Sequence, residues 1–306
     1  MTPGGYGWWY VDGISDDGAN GITIIAFVGS VFSPYYKWAR GRPMPADPSH
    51  HCALNVALYG RGARRWTMTE RGRGDLRRAS DRLDIGPSSM RWEDGRLRVV
   101  FDEISAPIPM RVRGELCLTP SALPGRRFLL DPEGRHDWQP FAPCAALEVE
   151  LERPKLRWQG HGYFDSNFGT EPLESGFRDW DWSRATLADG STAVLYDARS
   201  HQAGKDQLLA LRFDPQGQVG SFSAPGRVDL ARTGWRVPRQ TRAQDGRARV
   251  LETLEDTPFY ARSLLSTRLL GEDTTAMHES LSLTRFRTPV VQFMLPFRMP
   301  RRARNA

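Results

Sequence analysis

Along this 306-residue chain, apolar positions recur mostly at every second residue. Residues 146–152 read ALEVELE, with Leu147, Val149 and Leu151 on one side and carboxylates on the other. That alternation marks a strand with one buried face. Comparable runs are GITIIAFV (21–28), CALNVALY (52–59), RRWTMTE (64–70), LRVVFDEI (97–104) and MRVRGELCL (110–118). Further along come TAVLYDA (192–198), QLLALRF (207–213), ARVLETLE (248–255) and AMHESLSLTRF (276–286). SDDGANG, WEDGR, DPEGR, LADGS and DPQGQ punctuate the chain, and Asp-Gly or Glu-Gly steps between apolar runs signal hairpins. No segment sustains a 3.6-residue period over three turns, and 29 Gly and 22 Pro are many for a helical protein. The pattern predicts an all-β fold of short antiparallel strands, as in barrels or sandwiches. There are more strands than one small barrel takes. The Pro-containing segment ERPKLRW (152–158) is the expected junction, dividing the chain into domains 1–154 and 155–306.

The densest chemistry lies in WQGHGYFDSNFGTEPLESGFRDWDW, residues 158–182. If residues 156–165 are extended, His161, Tyr163 and Asp165 share one face, and Trp158 and Phe164 take the other. A carboxyl among aromatic rings is suited to act as an acid, because an apolar setting disfavours its charged form and the rings can stabilise a cation. The alternative is a core strand that ends in a satisfied Asp. His136 and Trp138, in GRHDWQPFAP, form a second pair two residues apart, and Pro140 and Pro143 place it in a loop or at a sheet edge. Trp8, Trp9, Tyr10, Phe32, Tyr35, Tyr36 and Trp38 are dense enough to line a long apolar pocket, or else form ordinary core. Asp179 and Asp181 would be a carboxylate pair of the glycosidase kind, although a structural role is preferred.

The formal charge is +6, from 42 Lys plus Arg against 36 Asp plus Glu. Only Lys37, Lys155 and Lys205 are lysines, a bias that reads as genome composition rather than function. Basic residues are dispersed apart from residues 61–82 and the tail, and no nucleic-acid motif accompanies them, so nucleic acid is not an expected partner. Cys52, Cys117 and Cys144 are odd in number and far apart, which fits neither a disulfide framework nor a zinc site and suggests a reducing cytoplasm. His50 and His51 beside Cys52 lack a partner at metal spacing, so no metal is expected. No apolar run reaches transmembrane length, and MTPGGYGWWYVDG has neither the basic nor the apolar region of a signal peptide. There is no P-loop, dinucleotide fingerprint or nucleophile elbow. VVQFMLPFRMPRRARNA sets an apolar stretch, Val290 to Phe297, beside Arg298, Arg301, Arg302 and Arg304, which suits peripheral contact with anionic membrane lipid. A final strand with a solvated tail is the other reading.

PGGYGWWYVDGISDDGANGITIIAFVGSVFSPYYKWA, HCALNVALYG, WTMTER, GHGYFDSNFGTEPLE, FRDWDWSRA and HESLSLTRF together resemble the carotenoid 1,2-hydratase (hydroxyneurosporene synthase) family of phototrophic bacteria, from Pro3 to Arg302. The resemblance implies two consecutive lipocalin-like antiparallel β-barrel domains. It implies cofactor-independent addition of water to the C1–C2 double bond at the ψ-end of an acyclic carotenoid such as neurosporene or lycopene, giving a tertiary alcohol. It places the family's functional residues on His136, Trp138, Tyr163 and Asp165. Asp165 would protonate C2, Trp138 and Tyr163 would face the cation, and His136 would orient the attacking water or accept its proton. A non-catalytic lipocalin-like carrier and a pericyclase of the same superfamily are the rival readings, because fold alone does not fix a reaction.

Overall fold

The computed structural model describes residues 1–60 and 62–302. Arg61 of the first basic cluster and Arg304 of the tail lie outside the described residues. The chain starts with strands β1 (Tyr6–Ser15) and β2 (Asn20–Val28), helix α1 (Pro34–Arg40), and strands β3 (Cys52–Gly60) and β4 (Arg65–Arg71). Ser33 caps α1 by accepting from the Tyr36 amide at 2.9 Å, and Pro34 supplies a first-turn residue whose missing N–H costs nothing there. Strands β5 (Leu76–Arg78), β6 (Arg82–Ile85), β7 (Ser88–Glu93), β8 (Arg96–Ile104) and β9 (Arg111–Pro120) follow. β10 (Phe128–Leu129) is short, whereas β11 (His136–Arg153) and β12 (Leu156–Gly169) are long.

A second run holds helix α2 (Leu173–Gly176) and strands β13 (Phe177–Thr186), β14 (Thr192–Ser200), β15 (Gln207–Phe213) and β16 (Val219–Ser221). Then come β17 (Arg227–Asp229), β18 (Gln240–Arg242), β19 (Ala248–Asp256), β20 (Tyr260–Leu269) and β21 (Glu272–Ser282). Helices α3 (Leu283–Phe286) and α4 (Pro289–Arg298) and strand β22 (Arg301–Arg302) complete the described chain.

The protein is all-β, and its described strand pairs are antiparallel except β22 with β4. Among the described residues the first sheet runs β22-β4-β3-β2-β1-β12-β11-β9-β8-β7-β6-β5, with β10 beside β11. It curls until β3 and β4 come against β6 and β8. Val11, Ile22, Ile24, Leu54, Val56, Val99, Leu116, Leu147 and Phe164 fill the interior that results. The second sheet runs β16-β15-β14-β13-β21-β20-β19, and the β17–β18 ribbon packs on β13. Its interior is smaller and centres on Ala185, Leu195, Leu230, Leu265 and Ala276.

The chain divides into two compact units, but not at Pro154. Residues Pro154 and Lys155 form the tight turn of the β11–β12 hairpin, and β12 continues pairing with β1 in the same sheet. The first unit therefore runs through Pro172 and takes in residues 293–302, while Leu129–Arg135 and Leu173–Gln292 make the second. A junction read from Pro and charged residues was a hairpin turn, which uses the same residue types.

Other expectations also change. His136–Trp138 lies in a strand, with register shifts at Pro140/Ala142 and Ala142/Ala145. The edge part of that reading holds: β9 pairs with β11 only from Ala145 onward, so the missing N–H groups of Pro140 and Pro143 break no β9 ladder. The C-terminal apolar stretch is helix α4, not a strand. Ten residues make about 2.8 turns, too short for a three-turn periodicity to register. Among the described residues no helix is long and apolar enough to cross a membrane.

Beyond α4 the chain returns to the first sheet, with Arg301 opposite Glu70. The Arg301 guanidinium pairs with the wholly buried Glu70 carboxylate and donates to the His50 carbonyl at 3.0 Å. His51 Nδ1 lies 2.8 Å from the same carboxylate. Arg301→Met should therefore cost about 3 kcal/mol, the low end for breaking a buried pair because His51 still faces Glu70. Chemical denaturation measures this, and an unchanged midpoint would mean that the pair does not hold the tail.

Candidate active site

Strand alternation builds the site. Val11 and Phe164 are register partners and both point into the aliphatic interior. Their neighbours Tyr10, Asp12, Tyr163 and Asp165 consequently point to the opposite face of the sheet. On that face Asp165 is only 4% exposed and Asp12 and Tyr163 are fully buried. β1 lies between β2 and β12, so its register is fixed on both edges.

Trp138 reaches the same face past two irregularities in β11. Pro140 pairs with Asp165, Ala142 with Phe164 and Ala145 with Gly162, so β11 carries one residue more than β12 at each of two steps. Two extra residues cancel in a period of two. Ala145, Leu147 and Val149 point to the interior, and Trp138, opposite Asn167, keeps the parity that points to the site.

The Trp138 Nε1–H and the Tyr163 hydroxyl both donate to Asp165 Oδ2, each at 2.7 Å. An indole nitrogen can only donate, so Oδ2 is an acceptor whether the acid is charged or neutral. The proton of the neutral acid then belongs on Oδ1. When it leaves, the new charge meets two donors already in place. Aromatic rings crowd the group: Tyr10 stands edge-on to Tyr163 at 6.2 Å, and Phe128 lies 5.5 Å from Trp138.

His136, wholly buried, lies further along the face. Its Nδ1 is 2.8 Å from the Tyr6 hydroxyl and its Nε2 is 3.3 Å from Glu171. Tyr6 stacks on Trp8 at 5.1 Å. Gly169 is opposite both Tyr6 and His136, and a Cβ there would lie 2.3 Å from the Tyr6 ring and 2.8 Å from His136 Nδ1. Only glycine leaves room for that pair without displacement.

The structure thus brings Trp138, Tyr163 and Asp165 into direct contact and puts His136 on the same face at a remove. His161 shares the alternation but is exposed. The aromatic run near the N-terminus does not line one pocket. Trp8 and Tyr10 belong to the site face, Trp9 to the barrel interior, Tyr36 packs against His51 with ring centroids 4.7 Å apart, and Trp38 is exposed. A separate cavity of about 490 Å³ opens inside the first barrel, lined by Trp9, Trp92, Phe141, Phe164 and Phe168 among others. Asp12, Tyr6 and Glu171 are the site residues that sequence reasoning passed over. A signal for Asp12 existed: Tyr10-Val11-Asp12 repeats the spacing of Tyr163-Phe164-Asp165.

Asp179 and Asp181 are not a catalytic pair in geometry. Arg199 spans both, with Nη2 2.6 Å from Asp181. Asp197 beside them is held by Arg227 and Arg242 at 3.0 and 2.9 Å. His51 is committed to Glu70, and among the described residues no cluster of three or more His, Cys, Asp or Glu is placed to hold a metal.

Two curled sheets define a lipocalin-like two-barrel protein, with a buried carboxyl clamped by an indole and a phenol on one sheet face. Solved structures share the fold. A protein described as AttH from Nitrosomonas europaea superposes with a TM-score of 0.62 over 90% of this chain and 92% of its own, at 17% identity. Kievitone hydratase from Nectria haematococca does so with 0.56 over 93% and 90%, at 8% identity. Sequence similarity is far closer elsewhere. The acyclic carotenoid 1,2-hydratase of Thiocapsa roseopersicina is 60% identical over 303 residues, 98% of this chain and 74% of that protein. The enzyme of that name from Rubrivivax gelatinosus is 55% identical over 305 residues, 99% and 75% of the two chains. The family model described as carotenoid hydratase CrtC matches residues 24–306, and the chain belongs to that family.

The second unit carries its own buried polar cluster. His278 is fully buried, its Nε2–H donates to the Gln240 carbonyl at 2.8 Å, and its Nδ1 has no hydrogen-bond partner among the described residues. Burial holds it below the usual histidine range. A histidine kept neutral stabilises the fold above the unfolded pKa of about 6.5, and that contribution is lost as pH falls below it, because the unfolded chain takes up a proton the folded chain refuses. Burial pushes the Asp181 carboxyl nearby the other way, up, so the comparison must leave Asp181 in place. The melting temperature of His278→Gln should fall less than that of the wild type between about pH 7 and about pH 5.5. An equal fall would show that the imidazole is not held neutral.

Proposed function

We propose that the protein adds water to the C1–C2 double bond at the ψ-end of an acyclic carotenoid, with Asp165 as the acid. The observation that carries this reading is the pair of 2.7 Å donors, Trp138 and Tyr163, on one oxygen of a buried carboxyl. The identity to proteins named acyclic carotenoid 1,2-hydratase supports the substrate class. Hydration of an alkene changes no overall oxidation state, so a proton donor, a proton acceptor and one water suffice. An isolated trisubstituted alkene is a weak base and needs a strong, positioned acid. Asp165 delivers its proton to C2 and leaves a tertiary cation at C1. The ring faces of Tyr163, Tyr10 and Trp138 stabilise that cation by roughly 0.5–2 kcal/mol each. Water attacks C1, with His136 orienting it, and the oxonium gives up a proton to yield the tertiary alcohol.

Asp165→Asn keeps the size and still accepts from Trp138 and Tyr163 but has no carboxylic proton. Turnover should fall at least a hundredfold, about 2.7 kcal/mol in the activation barrier, with the melting temperature little changed. Wild-type hydration of lycopene in heavy water should place one non-exchangeable deuterium at C2. Near-normal turnover by the folded variant would remove Asp165 from the mechanism.

The substrate class also gives the C-terminal helix a purpose, since a carotenoid must be drawn from lipid. Val290, Phe293 and Phe297 recur at helical spacing on α4, and Phe293 and Phe297 are 71% and 63% exposed. Arg302 is exposed close by in sequence, whereas Arg298 stacks on Trp66 at 4.4 Å and Arg301 is committed to Glu70. The aromatic residues, rather than the arginines, therefore carry the expected contact with an anionic bilayer. Replacing Phe293 and Phe297 by Ser should weaken co-sedimentation with anionic vesicles and slow turnover of bilayer-dissolved carotenoid. Turnover of detergent-dispersed carotenoid should stay near wild type. Equal vesicle binding would leave the stripe as plain solvated surface.

A further inference from the structure

The site face holds two Tyr-x-Asp dyads, not one. Tyr10 donates to Asp12 Oδ2 at 2.8 Å, as Tyr163 donates to Asp165. The antiparallel register sets them head to tail: Tyr10 is opposite Asp165, and Asp12 is opposite Tyr163. Asp12 is fully buried. It is thus the diagonal neighbour of Asp165 on one sheet face, with Cα atoms about 7–8 Å apart by ordinary cross-strand geometry. His136 is much further off. It pairs with Gly169, four residues along β12 from Asp165, which is about 13 Å at a strand's rise.

The geometry points to Asp12 as the base of the reaction, held by Tyr10, with Asp165 as the acid. This rests on the reading of Asp165 given above and adds the fate of the second proton. Asp165 passes its proton to C2, the C2–H bond forms from the alkene π pair, and Asp165 becomes a carboxylate. Water closes its C–O bond on C1, and its O–H proton passes to the Asp12 carboxylate. The net change at the protein is one proton moved from Asp165 to Asp12, and its return resets the site, so no external base is consumed. Where hydrolytic enzymes pair a carboxylic acid with a carboxylate that activates water, a separation of roughly 6.5–9.5 Å leaves room for that water. The diagonal register puts Asp12 and Asp165 on one sheet face as near neighbours, the arrangement such a pair requires.

The groups facing Asp12 are Tyr10 on its own strand, Tyr163 and Asp165 on β12, and Thr23, which pairs with it on β2. The test compares wild type, Asp12→Asn, Tyr10→Phe and Asp165→Asn on detergent-dispersed lycopene across a range of pH. Asp12→Asn can still accept from Tyr10. Its kcat should fall by roughly 10²–10⁴, the span of general base catalysis, with KM within a few fold. It should also lose the acid limb of the pH–rate profile, where the wild type fails because its base is protonated. Tyr10→Phe should lose about tenfold in kcat and little in KM, in line with removing one hydrogen bond to a charged group. A kcat near wild type in folded Asp12→Asn overturns the inference. So does a loss of rate that leaves the acid limb in place, which is the signature of a structural role. If Asp12→Asn does not fold, unchanged kcat in Tyr10→Phe counts against the pair and the tenfold loss supports it. Asp165→Asn separates the two claims: its inactivity beside an active Asp12→Asn preserves the acid and removes only the base.

Discussion

The pairing of β1 with β12 is the constraint on which the rest depends. Two strands with a side-chain period of two divide their residues between an aliphatic interior and a polar, aromatic face. Val11 and Phe164 go one way, and Tyr10, Asp12, Tyr163 and Asp165 go the other. A slip of one residue in either strand would exchange that strand's two sets, turning its carboxyl toward leucines and valines. Such a slip is opposed from both sides, by β2 on β1 and by β11 on β12. The chemistry thus rests on a register that the hydrophobic core enforces.

That register explains why the Asp165 carboxyl is firmly held. Trp138 fixes Oδ2 as an acceptor because an indole cannot do otherwise, and Tyr163 joins it at the same distance. The two oxygens of Asp165 are made inequivalent, with Oδ2 anchored by both donors. In the proposed reaction, charge that appears on the carboxyl as the proton leaves is met without rearrangement, which is where electrostatic catalysis gains most. The second unit uses its carboxyls differently. Asp179 and Asp181 are spanned by Arg199, and Asp197 by Arg227 and Arg242, so guanidinium groups face these carboxyls in place of an indole and a phenol. Both sets are aspartates on strands with aromatic neighbours, and they differ in what donates to them.

Most of the strands and the face of β12 were legible because half-buried strands alternate, and alternation survives in a single sequence. The Tyr163–Asp165 contact follows from spacing alone, since residues two apart share a face. What escaped were features that depend on a partner strand. Asp12 sits among glycine, tryptophan and tyrosine, and its importance is set by what lies across from it, 151 residues away at Tyr163. β13 alternates aromatic and charged side chains and resembles an exposed strand until its charges are seen to be paired. The domain junction failed for a related reason: Pro-Lys in a tight hairpin and Pro-Lys in a linker are the same letters.

The prolines of β11 are the instructive case. Pro140 and Pro143 argue against a strand, because proline withholds a ladder donor. Here they stand where no β9 neighbour asks for that donor, since β9 begins pairing at Ala145. This stretch accommodates two extra residues, one between Pro140 and Ala142 and one between Ala142 and Ala145. One alone would reverse the facing of everything before it and send Trp138 into the aliphatic interior, where its Nε1–H would have no carboxyl to meet. Two restore the parity, so that Leu147 and Val149 face the interior and Trp138 on the same strand meets Asp165. The irregularities that hide the strand from a periodicity reading therefore cancel, and the meeting of Trp138 with Asp165 depends on their coming as a pair.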